Sequence, residues 1–368
     1  MYKINEIAGI IGAERHGSAD GVVNWLLIDS RSLCFAEETL FFALKTHRND
    51  GHRYVDELYR RGVRNFVVAD LPKNVATMAD ANFLVVDDVL KALQTLAAHH
   101  RGRFDIPVIA ITGSNGKTTV KEWLYQLLSP DFNVCRSPRS YNSQVGVPLS
   151  VWLMSGHNDV AIIEAGISQP GEMQNLERIV RPTIGVLTNV GEAHQENFLS
   201  YDIKCAEKMS LFAQCESVVL NFKDETVVRG SVNIPDSAKR VVWTKQGREM
   251  MLGDEQPAAL SLVVRDIDKS EDSATVKFSL KGEIGQYTIP FIDDASIENS
   301  ITCFLACIVV AGKSAGVRGA LGAGRDYVAT ICERMSRLEP VAMRLEVKDG
   351  RNDCTLINDS YNSDVQSL

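Results

Sequence analysis

The sequence predicts an α/β protein built around a doubly wound, mainly parallel sheet, and three observations carry that expectation. Runs such as "PVIAIT", "DVAIIEAG", "TIGVLTNV", "SVVLNF" and "RVVWT" are almost continuously apolar, the mark of strands covered on both faces. Helical stretches such as "KTTVKEWLYQLL" separate them, the alternation from which parallel sheets are wound. Between the first run and that helix lies "TGSNGKTT", Thr112 to Thr119, a glycine-rich turn of the kind that cradles phosphate groups.

A chain of 368 residues is too long for one typical core, so several domains are expected. Residues 1–85 read as a small α/β unit, with strands in "NWLLIDSR", "TLFFAL", "NFVVAD" and "FLVVDD" and an amphipathic helix in "GHRYVDELYRRG". Residues 86–338 read as the central sheet domain, entered through a helix from about Val89 to Arg101. From about Ala258 to Phe291 the pattern turns to alternation ("LSLVVRDI", "ATVKFSLKG", "GQYTIPF"), which predicts antiparallel strands appended to that sheet. A helix follows in "SIENSITCFLACIVVAGK". Residues 339–368 begin two more strands, read as the start of a third, truncated α/β domain.

With 45% hydrophobic and 23% charged residues and a net charge of −8, the composition suits a soluble globular chain and points to neither a nucleic-acid nor a membrane partner. A polyphosphate ligand would be repelled by the global field, so backbone amides and a few placed cations must hold it. No run approaches the roughly 18 apolar residues that span a bilayer, and the first residues lack a cleavage pattern, so a cytoplasmic location is expected. The eight cysteines include no C-x-x-C; Cys303 and Cys307 fall at helical spacing in an apolar segment, which reads as buried reduced thiols.

Ligands of open α/β sheets sit beyond the carboxyl ends of the strands, and the residues able to do chemistry cluster there. Gly113 and Gly116 free the loop amides to approach phosphate, Lys117 would reach the β- and γ-phosphates, and the Thr118 hydroxyl is placed for Mg²⁺. The usual phosphate-loop pattern has a further glycine where this chain has Ile111. Glu164 follows "DVAII", and Glu192 with His194 follow "TIGVLTNV". Taken singly, these two carboxylates and the imidazole are ordinary strand-end residues, and Lys208 is an ordinary helix lysine.

Together they form a known constellation. Thr112-Gly113-Ser114-Asn115-Gly116-Lys117-Thr118-Thr119 resembles the T-G-[TS]-x-G-K-[ST]-[ST] loop of the Mur ligases, ATP-dependent enzymes that build the peptide stem of the cell-wall precursor. Within that family "ITGSNGKTTVKE", "YNSQVGVPLSV", "IIEAGISQPGEM" and "TNVGEAHQENFLS" look most like the member that adds D-alanyl-D-alanine. The resemblance implies an ATP site at Gly113 to Thr119 with Asn299, Arg344 and Asp359. It implies Mg²⁺ held by Thr118 and Glu164, and a second Mg²⁺ at His194 with Lys208 modified by CO₂ to a carbamate. Lys117, Glu164, His194 and Lys208 would be the catalytic set. In the first unit, Ser30, Arg31, Lys45, Asp50, Gly51 and His52 would hold the UDP end of the precursor. Ala295 and Ser296 replace a His and an Asn of the family pattern near adenine, and Ser363-Asp364-Val365 replaces an Ala-Asn-Pro.

The implied substrates are UDP-N-acetylmuramoyl-tripeptide and D-alanyl-D-alanine, joined through an acyl phosphate. A fused alanine racemase in a longer parent is compatible with the resemblance. Three alternatives stay open: the sister ligase that extends the dipeptide, a folylpolyglutamate synthase, and a module that binds nucleotide and UDP-precursor without turnover.

Overall fold

The computed structural model describes residues 1–47, 49–192, 195–245, 258–313 and 327–342, with the backbone of two further strands at Glu346–Asp349 and Thr355–Asn358. The chain forms two compact units, Met1–Phe104 with Gln144–Trp152, and Asp105–Ser143 with Leu153–Leu368.

The first unit contains β1 (Tyr2–Lys3), α1 (Ile4–Ile11), β2 (Glu14–His16), β3 (Val22–Val23), β4 (Trp25–Leu27), β5 (Thr39–Phe42), α2 (Val55–Arg60), β6 (Asn65–Val68), β7 (Asn82–Val85) and α3 (Val89–Arg101). Its sheet has the order β2-β7-β6-β5-β4, parallel except for β2. The unit extends beyond the expected boundary at residue 85. Helix α3, capped by the Asp88 carboxylate on the Lys91 N–H at 3.0 Å, buries Val89, Ala92, Leu93 and Leu96 against Tyr2, Ile4, Ile7 and the sheet. That apolar stripe outweighs the change of rhythm after Val85.

The second unit is wound on β8 (Val108–Thr112), α4 (Lys117–Leu128), β9 (Val134–Arg136), β10 (Val160–Glu164), α6 (Glu172–Val180), β11 (Ile184–Leu187), α7 (Tyr201–Met209), β12 (Ser217–Asn221), α8 (Glu225–Gly230), β13 (Lys239–Lys245), β14 (Leu260–Lys269), β15 (Ala274–Leu280), β16 (Glu283–Ile289), α9 (Asp294–Lys313) and α10 (Tyr327–Met335). Helix α5 (Gly146–Trp152) belongs to the first unit, where the Trp152 ring stacks on Tyr2 at 5.2 Å. The nine strands run β16-β15-β14-β13-β12-β11-β8-β10-β9, and those from β9 to β14 are parallel. The alternating segment is therefore only partly antiparallel: β14 pairs parallel with β13, and β15 and β16 fold back on it. Strands β17 (Glu346–Asp349) and β18 (Thr355–Asn358) form a separate antiparallel pair.

Both faces of the sheet are covered, as the apolar runs require. On one face Val120, Trp123, Leu124 and Leu127 of α4 pack with Ile301, Phe304 and Leu305 of α9 over Ile109, Ile111, Ile184 and Val186. By length and hydropathy α9 would suit a membrane span, but more than half of its apolar window is buried in this core. On the other face Gly185 lies under the Phe212 ring, and a Cβ there would come within 2.3 Å of it. Gly185→Ala is therefore expected to lower the unfolding free energy by about 1–3 kcal/mol through overpacking, measurable as a reduced urea midpoint.

Candidate active site

The strand order reverses at β8, which lies between β10 and β11 although both follow it in the chain. A crevice opens beyond the carboxyl ends at such a point, and the phosphate loop leaves β8 into it. Gly113 and Gly116 have φ of 148° and 79°. Close approach also demands glycine here, because a Cβ would meet Thr188 Oγ1 at 1.9 Å from Gly113 and Asn299 Oδ1 at 2.5 Å from Gly116. Asn299 thus reaches the loop from the first turns of α9.

The segment after β11 shapes the loop. The Ser114 N–H donates to the Asn189 carbonyl at 3.0 Å, the Asn115 N–H to Asn189 Oδ1 at 2.9 Å, and the Thr188 hydroxyl to the Asn115 carbonyl at 2.5 Å. The Lys117 ammonium lies back on its own loop, donating to the Gly113 and Ser114 carbonyls at 2.8 and 2.9 Å. Those two carbonyls are what phosphate oxygens would displace.

In the first turn of α4, the Thr118 hydroxyl donates to Glu164 Oε2 at 3.0 Å and lies 3.2 Å from the Ser140 hydroxyl. Glu164 is almost fully buried at the end of β10; Asn142 Nδ2 donates to its other oxygen at 2.7 Å, and its own N–H donates to Ser137 Oγ at 3.1 Å. The loop that supplies Ser137, Ser140 and Asn142 is tied down by the buried Lys121, whose ammonium donates to the Ser137 carbonyl at 2.9 Å and also to that of Arg139. Arg139 takes the left-handed backbone, φ 49°, within this turn. Sequence reasoning gave none of these four loop and helix residues a role. Of the four, Asn142 falls in "YNSQVGVPLSV" and Lys121 in "ITGSNGKTTVKE", stretches that carry the family resemblance, whereas Ser137 and Ser140 fall in neither.

A carboxylate beside two hydroxyls is a hard-oxygen set. Among the described residues no group of three His, Cys, Asp or Glu side chains converges, so no all-protein cage exists there. The set fits Mg²⁺, which keeps several waters and takes one or two protein ligands beside phosphate oxygens. Lys208, on α7, is 3% exposed. Its amine is held well below the ordinary lysine range, chiefly by burial and then by the positive charges of Lys117 and Lys204.

Beside the loop lies a cavity of about 400 Å³ lined by Asn115, Gly116, Thr119, Asn221, Phe291 and Asn299, among others. The Trp123 ring stacks behind Phe291 at 5.0 Å, and the Lys223–Glu298 ion pair stands at the lining. Ala295 and Ser296 also line it, so the replaced family positions face the expected nucleoside. His194, Arg344 and Asp359 lie outside the described residues.

The residues expected to hold UDP gather at the carboxyl ends of β4 and β5 in the first unit. Asp29 accepts from the Arg31 side chain at 2.6 Å and from its N–H at 3.0 Å, which holds the carboxyl down at about 2; the Ser30 carbonyl accepts from Arg61 at 2.8 Å. The backbones of Lys45 and Asp50 pair in an isolated antiparallel β-bridge, and a Cβ on Gly51 would meet the Ala43 backbone at 2.8 Å. His52 Nε2 accepts the Ala69 N–H at 3.0 Å, so Nδ1 carries the proton and donates it to Asp50 at 2.7 Å. The imidazole braces the turn with both nitrogens.

Switch point, phosphate loop and oxygen set define a phosphate-loop protein of the doubly wound α/β class. The chain belongs to the Mur ligase family: residues 111–307 match the Mur ligase middle domain. The UDP-N-acetylmuramoyl-tripeptide–D-alanyl-D-alanine ligase of Bacillus subtilis is 27% identical over 353 residues, 94% of this chain and 69% of that protein. The Synechocystis protein of the same name is 36% identical over 238 residues, 64% of this chain and 50% of its own length. Among solved structures, MurF from Acinetobacter baumannii superposes with a TM-score of 0.81 at 23% identity, covering all of this chain and 74% of that one, a likeness of fold.

The buried Lys208 has a consequence for stability. Unfolded, its amine keeps a proton up to the ordinary value of 10.5, whereas the folded amine loses it well below. In that interval the unfolded chain binds more protons, so this group's penalty on folding shrinks as pH rises. Lys208→Met is expected to raise the urea midpoint of the ligand-free protein at pH 7, with the gain fading toward pH 10; an unchanged midpoint at both would show the amine to be solvated.

Proposed function

We propose that the protein joins D-alanyl-D-alanine to UDP-N-acetylmuramoyl-tripeptide at the expense of ATP. The observation that carries this reading is the Thr118–Glu164 oxygen pair at the start of α4, set beside the phosphate loop in a chain whose relatives carry that ligase name.

A carboxylate is a poor electrophile, so the terminal carboxylate of the tripeptide first takes the γ-phosphoryl group of ATP, releasing ADP. The amine of D-alanyl-D-alanine then attacks the acyl phosphate, forms the amide, and expels phosphate as the amine loses a proton. The loop amides and Lys117 hold the β- and γ-phosphates in line with the attacking oxygen; the cavity beside Asn299 takes the nucleoside. Thr118 and Glu164 would hold a magnesium ion, which when bound supplies positive charge against the phosphate oxygens. Asn142 keeps the Glu164 carboxylate turned to that task. His194 and Lys208 are assigned to a second ion.

The low basicity of Lys208 suits reaction with CO₂: the neutral amine adds to the carbon, one proton leaves, and the amine becomes a carbamate anion that a metal can use. The first unit, through Ser30, Arg31, Lys45, Asp50, Gly51 and His52, takes the UDP end of the precursor.

Calorimetry should give tighter binding of UDP-N-acetylmuramoyl-tripeptide than of the dipeptide form or of UDP, and D-alanyl-D-alanine should stimulate release of ADP and phosphate. Preference for the dipeptide would transfer the assignment to the sister ligase; no binding of any of the three would remove the UDP reading. Lys208→Ala is expected to lower turnover by roughly 10²–10³-fold, the scale for loss of one electrostatic group, and short carboxylic acids should restore part of it. Undiminished activity would exclude the carbamate.

A further inference from the structure

Lys204 has no part in the reading above, yet it is among the most deeply buried lysines, 1% exposed on α7. A hydrophobic residue would fill this place at lower cost, since burying an ammonium forfeits its hydration. What the ammonium does is specific. It donates to the Gly191 carbonyl and, at 3.2 Å, to Gln195 Oε1, with the Tyr201 ring centroid 5.5 Å away.

That carbonyl is shared. The Ser114 hydroxyl also donates to it, at 3.2 Å, and the Gly191 N–H donates back to Ser114 Oγ at 2.8 Å. One residue thus meets the phosphate loop at its N–H and its carbonyl, and α7 at its carbonyl. Two residues earlier, Asn189 accepts the Ser114 and Asn115 N–H groups, so loop amides on one side are set by a segment that Lys204 ties down on the other. Helix α7 is itself fixed at its start by the Ser200 hydroxyl, which accepts the Ile203 N–H at 3.2 Å.

We propose that Lys204 is a positioning residue for the nucleotide phosphates: through the Gly191 carbonyl it shares with Ser114, it holds the phosphate loop in its binding shape. The proposal rests on the nucleotide reading of the loop but not on the identity of the acceptor substrate. Its mark is selectivity. The loop amides serve the phosphates, so loss of the tie should weaken ADP binding far more than adenosine binding.

The experiment is calorimetry of ADP with Mg²⁺, and of adenosine, on the unaltered protein, Lys204→Met, Ser114→Ala and the double variant. Lys204→Met is expected to weaken ADP at least ten-fold while adenosine changes less than two-fold, and the double variant should lose less than the product of the two single losses, because both side chains serve one carbonyl. ADP affinity within two-fold of the unaltered protein, or equal weakening of both ligands, would overturn the proposal; the second outcome is that of a merely structural lysine. Should Lys204→Met not fold, amide exchange on the unaltered protein decides. ADP, unlike adenosine, should slow exchange at Gly191 and along the first turns of α7 at least ten-fold, and unchanged exchange there would overturn the tie. Failure of the unaltered protein to bind ADP would overturn the nucleotide reading and this inference together, whereas a changed acceptor preference would leave both standing.

Discussion

The lack of a side chain at Gly113 lets Thr188 come against the phosphate loop, and the site is organised around that contact. With a Cβ at 1.9 Å from Thr188 Oγ1, the two segments would part, and the bonds from Ser114, Asn115 and Thr188 would go with them. The loop is therefore not a free anion nest at a helix start. Its amides are aimed by a neighbouring strand's continuation, which is how a doubly wound sheet turns adjacency of β8 and β11 into the geometry of a ligand site.

The charge pattern follows the same logic. A chain with a net charge of −8 offers polyphosphates no long-range attraction, and it places Lys121, Lys204 and Lys208 almost out of solvent instead. Lys121 and Lys204 are stabilised by backbone carbonyls of the very loops that shape the site. In a water-poor crevice such cations act more strongly than surface ones, because the local dielectric does not screen them. Lys208 answers the same surroundings in the opposite way, its amine held well below the ordinary lysine range by burial.

Strands β8 and β10 to β13 were legible because strands buried on both faces are almost continuously apolar, and the phosphate loop was legible because glycine and lysine at a strand end leave few other uses. The limits were equally physical. Helix α3 was assigned to the wrong side of the boundary, since a stripe of Val89, Ala92, Leu93 and Leu96 states that one face is buried but not against what. Ser137, Ser140 and Asn142 sit in a polar turn whose pattern is that of any loop, and only the fold brings them to Glu164. Lys208 reads in sequence as an ordinary helix lysine and Lys204, one turn before it, carries no mark; only the fold shows both buried, where Gly185, by admitting Phe212, lets the end of α7 sink onto the sheet.

The short excursion that carries α5 into the first unit sets an order of events during synthesis. Trp152 stacks on Tyr2, packs on His100 at 4.6 Å and donates to the Asn24 carbonyl at 2.8 Å, so the oldest residues of the nascent chain wait for a partner about 150 positions behind them. By the time it emerges, β8, α4 and β9 have already been made. The ribosome thus cannot release the first unit finished before the second has begun, and the two must mature interleaved, not in sequence. A fragment cut after Phe104 would carry the whole five-stranded sheet and still expose the aromatic seat that Trp152 fills.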